Sequence, residues 1–375
     1  MTSAPVTLCI NEALPIEILG LIFEEHAKLE WRAPATDGRV CRLWRQIILG
    51  CPRAWAYLEL NHRYDDTTPS SLRRWLDRSG TAPLHIRVHD FMPNVDELLD
   101  RHHERIESLI MDCGLYSMFE NRSFPILQSF TVDDWNDPDT QGSPWGTMPK
   151  LLDFRTCFID IGILSWSTFP PLRTLVLYKV DSCDRLLRNL NNSLTSIMLD
   201  ELSLDDTSGS LDFPSLTFLS LYGVNNLKHR MNVPVLTTYH EGGGIEGEDF
   251  PTSLPLLAEY GIFHSGDALL PNVMKLHRCY PDLHRLSIRA YPSDVMSFLH
   301  SFVDQPNALP MLRILAVGTS RSGASASKKL KNKVINHITG RNFTSEVKFT
   351  VYFEDSAPFK VPLFFGAVRI HIKKC

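Results

Sequence analysis

The sequence predicts an α/β protein in which an N-terminal three-helix module leads into an irregular repeat solenoid built on a curved parallel sheet. Three observations predict it. A first helix near Pro15 is apolar almost all round, and an apolar unit then recurs every 20 to 29 residues between Ile106 and Leu312. The composition, 43% hydrophobic and 22% charged, is that of a chain able to bury a large core.

The first helix is expected from about Pro15 to Ala27, since proline at the first turn loses no intrahelical hydrogen bond. Its apolar residues Ile16, Ile18, Leu19, Leu21, Ile22 and Phe23 cover more than the single stripe of a surface helix, so one face is surplus. A second helix is expected from Thr36 or Asp37 to Leu49, with Gly50 as a left-handed stop. Val40, Trp44, Ile47 and Ile48 fall on one face of it, and Val40 and Trp44 are assigned to the core. A turn carrying Pro52 and Trp55 completes a module too small to hold much core alone.

These residues resemble the F-box, in the form common in fungal F-box proteins. The match runs through Leu14, Pro15, Glu17, Ile18, Leu19, Ile22 and Phe23, then Val40, Cys41, Arg42, Trp44 and Arg45, then Pro52 and Trp55. The resemblance implies docking on a Skp-family adaptor of a cullin-type ubiquitin ligase through Leu14, Pro15, Ile18, Leu19 and Ile22. The segment from Trp31 to Thr36, with Pro34 inside it, departs from the usual inter-helix pattern.

Behind the module, Phe169 to Val180 and Phe213 to Val224 repeat one unit, Pro-x-Leu-x-x-Leu-x-Leu. Its first apolar position recurs at Ile106, Leu127, Leu151, Leu172, Leu194, Leu216, Leu236, Leu257, Leu283 and Leu312. That spacing is the period of leucine-rich repeats, each predicting one short parallel strand and a return along the outside. Thr156 and Glu241 stand where the third apolar residue of their copies belongs. A helix over Ser71 to Ser79, stopped at Gly80, leads into a strand from Leu84 to Val88 that is expected to start the stack; further helices are expected over Val95 to His102 and Asp184 to Leu190. The domains read as 10–57 for the F-box-like module, 58–318 for the leucine-rich-repeat solenoid, 319–333 for a mobile basic loop and 334–375 for capping strands.

In such strands the apolar residues point into the stack and positions 3, 5 and 7 of the unit face outward along the concave side. There the sequence places Arg155, Tyr178, Asp200, Phe218, Tyr222, His240 and Arg285 as the surface for an unknown protein substrate, because Tyr, Phe and Arg dominate interface energetics. A net charge of −5 offers no general attraction to phosphate backbones or anionic lipid, so neither nucleic acid nor membrane is expected as a partner. The eight cysteines lack C-x-x-C pairing, and no metal or cofactor is expected. Gly242 to Gly247 fits G-x-G-x-x-G, but Glu246, Glu248, Asp249 and Pro251 replace the helix that a dinucleotide site needs. The start of the chain has neither the basic nor the apolar run of a signal peptide, so a cytoplasmic or nuclear location is expected. The expected function is therefore a non-catalytic substrate-recognition subunit of a Skp–cullin–F-box ligase. A repeat scaffold without a ligase role is the alternative, ahead of an enzyme of unrecognised type.

Overall fold

The computed structural model describes residues 14–61, 68–89, 101–112, 122–132, 147–157, 170–180, 183–202, 209–224, 227, 230–242, 254–263, 270, 272–305, 308–319, 350–354 and 367–368. The chain forms two compact units, Met1–Leu172 and Arg173–Cys375, and each contains a parallel sheet stacked repeat by repeat.

In the first unit, α1 (Ile16–Leu29) starts where the Pro15 carbonyl accepts the N–H groups of Ile18 and Leu19, each at 3.1 Å. The helix expected from Thr36 to Leu49 is instead two, α2 (Ala33–Asp37) and α3 (Arg42–Leu49). Cys41 breaks them apart: its backbone is extended and its Sγ accepts the Trp44 N–H at 3.5 Å as the cap of α3. This break carries Val40 off the apolar face of α3 and leaves it 62% exposed, against the expected core position. Gly50 has φ −89°, so α3 ends without a left-handed residue. Asp37, buried at the end of α2, holds the His26 ring of α1 through Nδ1 at 2.8 Å.

Leu19, Phe23, Ile47, Ile48, Ala54 and Trp55 form the core of this module, with Leu14, Trp44 and Trp75 packed against it. A 3₁₀ turn, η1 (Pro52–Trp55), passes straight into β1 (Tyr57–Leu60), so no linker intervenes. The stack thus begins one strand before the expected start. Tyr57-Leu58-Glu59-Leu60 is too short to register as periodicity, yet Leu58 and Leu60 are buried and β1 pairs in parallel with β2 (Leu84–Val88). Between them α4 (Pro69–Ser79) is capped by Thr68, whose Oγ1 accepts the Ser71 N–H at 3.3 Å, and is closed by Gly80 at φ 53°. The Arg105 guanidinium donates to the Gly80 carbonyl at 2.6 Å, to Ala82 at 3.1 Å and to Ser79 Oγ at 3.0 Å, satisfying acceptors that the helix end leaves open. The sheet continues in parallel through β3 (Ile106–Met111), β4 (Ser129–Val132) and β5 (Asp153–Cys157).

In the second unit β6 (Thr174–Tyr178) pairs with β7 (Ser196–Asp200). A short strand, β8 (Leu211–Asp212), precedes β9 (Phe218–Tyr222), and β10 (Met231–Asn232) precedes β11 (Thr238–Gly242); β8 and β10 pair only with each other on the return side. The main sheet runs in parallel from β7 through β9, β11, β12 (Glu259–Phe263), β13 (Arg285–Ala290) and β14 (Ile314–Thr319) to β15 (Thr350–Glu354), on which β16 (Ala367–Val368) closes antiparallel. Of the stretch 334–375, the described residues are these two strands, Thr350–Glu354 and Ala367–Val368. The returns include α5 (Asp184–Leu190), at the expected bounds, α6 (Val273–Cys279) and α7 (Pro292–Asp304). The basic loop at 320–333 and most of the helix at 95–102 lie outside the described residues.

The unit read from the sequence sets the core. Leu172, Leu175 and Leu177 are fully buried, as are Leu194, Ile197 and Leu199, and the later copies follow the same first, fourth and sixth positions. Thr156 and Glu241 occupy the sixth position and are buried too. Glu241 is held there by the hydroxyls of Tyr239, at 2.9 Å, and Tyr260. Position 2 carries a second ladder: Thr195, Thr217 and Thr237 each donate through N–H and Oγ to the preceding repeat's carbonyl, the hydroxyls at 3.1 to 3.2 Å.

Directly after β6, β7 and β9 the chain bends left-handed, at Lys179 (φ 51°), Glu201 (φ 49°) and Gly223 (φ 63°). The N–H of each donates to the last strand residue of the next repeat, Lys179 to Asp200, Glu201 to Tyr222 and Gly223 to Gly242, at 2.7 to 2.9 Å. For Lys179 and Glu201 the bend costs on the order of 1 kcal/mol or more apiece, and the ladder bond is what offsets it.

Candidate functional site

Two surfaces carry residues that the folding of each unit does not use, one in each unit. On α1, Leu19, Phe23 and Ala27 recur at i, i+4 and i+8 and are buried. Ile18, Leu21 and Ile22 stand on the opposite side at i, i+3 and i+4 and are exposed by 41%, 55% and 45%. At the helix start Ile16 and Pro15 are exposed as well, Ile16 on the side it shares with Leu19. Three large aliphatic side chains on the outer face of one helix form a stripe that burial alone would not leave in water.

The residues expected to dock an adaptor therefore divide. Pro15, Ile18 and Ile22 lie on the outer face, Leu14 is half-buried against the module core, and Leu19 is fully buried. Leu19 is corrected from contact to core, because it shares its side of the helix with Phe23. The stripe instead includes Leu21, which a rotation of 200° separates from Leu19.

The second surface is the outward face of the sheet in the Arg173–Cys375 unit, where positions 3, 5 and 7 are half-buried along β6, β7 and β9. Tyr178, Asp200 and Tyr222 lie in register on β6, β7 and β9, and Phe218, His240 and Arg285 occupy β9, β11 and β13. Arg155 stands on the exposed side of β5, in the other unit.

Two glycines shape this face. The Tyr222 ring lies over Gly242, where an added Cβ would meet its Cδ2 at 2.1 Å, and the His240 ring lies over Gly261, where a Cβ would meet its Cδ2 at 2.5 Å. His240 thereby sits between Phe218 and Phe263, edge on to both, at centroid distances of 5.3 and 5.4 Å. Its Nε2 is 3.5 Å from Glu259 Oε1, which Arg285 Nε approaches to 3.2 Å. The His240 ring, then Arg285, hold the Glu259 carboxyl below its usual range against the opposing effect of burial. Phe263, Gly261 and the place of Gly242 beneath a ring are not visible in the sequence, since the ring-over-glycine pairing joins strands about 20 residues apart.

Asp200 differs from its neighbours. Burial, then the nearby Glu201, push its carboxyl up from 3.8 to about 6, opposed by Lys179. Its Oδ1 is buried with no hydrogen-bond partner, while Lys179 Nζ pairs with Glu201 at 3.3 Å. A carboxyl raised on folding binds its proton more tightly in the native state, so it lowers stability as pH rises from 3.8 through about 6, and the penalty is constant above that. The Asp200→Asn variant is accordingly expected to gain about 1 kcal/mol over wild type at pH 7.5, solvent screening allowed for, and nothing at pH 3.5. Urea unfolding at the two pH values measures this; an equal gain at both would assign it to packing instead.

In the first unit His89 lies between two carboxylates, with Nε2 at 2.7 Å from Glu59 and Nδ1 at 2.6 Å from Asp112, and Arg87 joins Asp112 at 3.3 Å. Among the described residues no group of three or more His, Cys, Asp and Glu is arranged to hold a metal ion, and no helix is long and apolar enough to cross a membrane. Gly243 to Gly247 of the glycine pattern lie outside the described residues, and Gly242 ends a strand. In comparison with known proteins, no family model matches this chain and no curated protein matches it.

Proposed function

We propose that the protein is the substrate-recognition subunit of a Skp–cullin–F-box ubiquitin ligase, with the outer face of α1 docking on a Skp-family adaptor and the outward sheet face taking a protein target. The observation that carries this reading is the exposed stripe of Ile18, Leu21 and Ile22, opposite the buried side of the same helix and inside the F-box-like run. A helix that served only to cap the repeats would need one apolar side; this one has two. The outward sheet face supports the second half of the reading, with rings and charges of the kinds that anchor interfaces.

The double variant Ile18→Asp, Ile22→Asp tests the adaptor contact. Both residues are outside the module core, so the melting temperature should change little, whereas adaptor affinity should fall by about 2 kcal/mol or more, roughly thirtyfold, in calorimetric titration. Unchanged affinity would remove α1 from the contact. Absence of any binding by the wild-type chain would leave the scaffold reading, in which the repeats act without a ligase.

A further inference from the structure

We infer that Asp200, set between Tyr178 and Tyr222 on adjacent strands, is the recognition point for a cationic side chain, arginine above all, on the polypeptide that binds the outward sheet face. This rests on the reading of that face as a protein-binding surface and specifies what it selects.

The three residues share one register line, Tyr178 beside Asp200 beside Tyr222. Strands about 4.8 Å apart place the two tyrosine backbones about 10 Å from each other with the carboxylate between them. A cation above Asp200 would then stand about 5 Å from the backbone of either tyrosine, with an aromatic residue on each flank. The Tyr222 ring inclines over Gly242, on the side away from Asp200, which leaves room over the carboxylate for a flat guanidinium.

Charge selects the occupant. Neighbouring charges are already matched within the chain: Lys179 with Glu201 at 3.3 Å, and Glu259 with Arg285 at 3.2 Å. Asp200 forms no ion pair among the described residues, and one of its oxygens is buried without a donor. A half-buried carboxylate in that position has lost part of its hydration and gained no partner, so an arriving cation restores what folding removed. Lys179 already shows that this environment accepts a cation, since its Nζ lies 5.2 Å from the Tyr178 ring centroid while it pairs with Glu201. Further along the same face, the rings of Phe218 on β9, His240 on β11 and Phe263 on β12 offer a place for an apolar side chain of the same segment. The expected determinant is therefore an arginine or lysine adjoining an aromatic or aliphatic residue in an extended segment.

The test uses the full chain and fluorescein-labelled octapeptides of serine and glycine that carry one central pair, Phe-Arg, Phe-Lys, Phe-Gln or Phe-Glu. By fluorescence polarisation, Phe-Arg should bind wild type at least tenfold more tightly than Phe-Gln, and Phe-Glu most weakly. Asp200→Asn should bring Phe-Arg to within twofold of Phe-Gln without lowering the melting temperature, and Tyr178→Leu with Tyr222→Leu should weaken Phe-Arg at least fivefold. Equal binding of Phe-Arg and Phe-Gln by wild type, or a preference that survives Asp200→Asn, would overturn the cation site. If that equal binding is lost in Phe218→Ser, the face still binds polypeptide and only its selectivity for a cation falls. If none of the four peptides saturates the wild-type chain, the cation site and the wider reading of this face fall together.

Discussion

Replacing Trp55 by alanine is expected to remove about 3 to 5 kcal/mol and to unfold the N-terminal helices at temperatures where the repeats persist. Trp55 is 2% exposed at the centre of the small core formed by α1, α3 and η1. Its indole Nε1 donates to the Ile48 carbonyl at 2.8 Å, which satisfies a group at the end of α3. Trp75 of α4 meets the ring edge on at 4.7 Å, and the Arg78 guanidinium lies 4.4 Å above its centroid. Trp55→Ala therefore opens a large cavity, takes the indole donor from the Ile48 carbonyl, which keeps the Cys51 N–H, and detaches α4 in one step. Hydrogen exchange provides the check: amides of α1 and α3 should lose protection while those of β9 and β11 keep it. Trp55→Phe, which retains the packing and loses the indole N–H, should fall between the two. A cooperative loss across both units would show instead that the chain unfolds as one.

The second large effect is alkaline. Burial, then the Glu241 charge, push the Tyr239 and Tyr260 hydroxyls well above the usual phenol range, and Tyr280 is raised for the same two reasons. A tyrosine whose pKa is raised on folding contributes stability that is fully present below its unfolded value near 10 and is lost as pH rises beyond it. Each contributes about 1.4 kcal/mol per pH unit in that range, so three together remove roughly 4 kcal/mol per unit, and stability measured by urea should fall steeply above pH 10. Glu241→Ala, which leaves two buried hydroxyls without their carboxylate and opens a cavity, should cost about 3 to 5 kcal/mol at pH 7. The triple change Glu241→Leu, Tyr239→Phe, Tyr260→Phe restores the apolar pattern and should recover most of that loss while flattening the alkaline limb. An unaltered alkaline limb in the triple variant would place the titrating groups elsewhere.

How much of this could be read from the sequence depends on the range over which each feature is decided. The repeat unit names the buried rungs, because Leu175, Leu177, Leu219 and Leu221 alternate with outward residues within a single strand. Helices α4 and α5 were legible for the same reason, one with its Thr68 cap and Gly80 stop close to hand. Errors came where a decision lies just outside a periodic run. Val40 belongs by spacing to the face of α3, but the extended Cys41 ends that periodicity immediately before the helix starts. The F-box resemblance implies one contact face with Ile18, Leu19 and Ile22, although one residue on a helix is a turn of 100°. At Glu241 the sequence showed an interruption in the apolar pattern; its partner Tyr260 lies in the next repeat, so only the stacked register reveals that the interruption is a hydrogen-bonded group. The aromatic face is the least legible part, since Tyr222 over Gly242 and His240 over Gly261 are lateral relations between strands.

The left-handed bends at Lys179, Glu201 and Gly223 bear on how such a chain changes length. Each fixes the exit from its strand by a bond to the following repeat, so the direction in which the chain leaves the sheet is set before the return segment begins. The three repeats that carry these bends span 22, 22 and 20 residues, while the 29-residue repeat from Leu283 to Leu312 keeps its strands in register without such a bend after β13. Variation is thus confined to the return path, and the register of the outward rings is insulated from it. Such a chain is modular: a return can be lengthened, shortened or exchanged downstream of the bend while Tyr178, Asp200 and Tyr222 remain side by side, which lets the two sides of the sheet diverge independently.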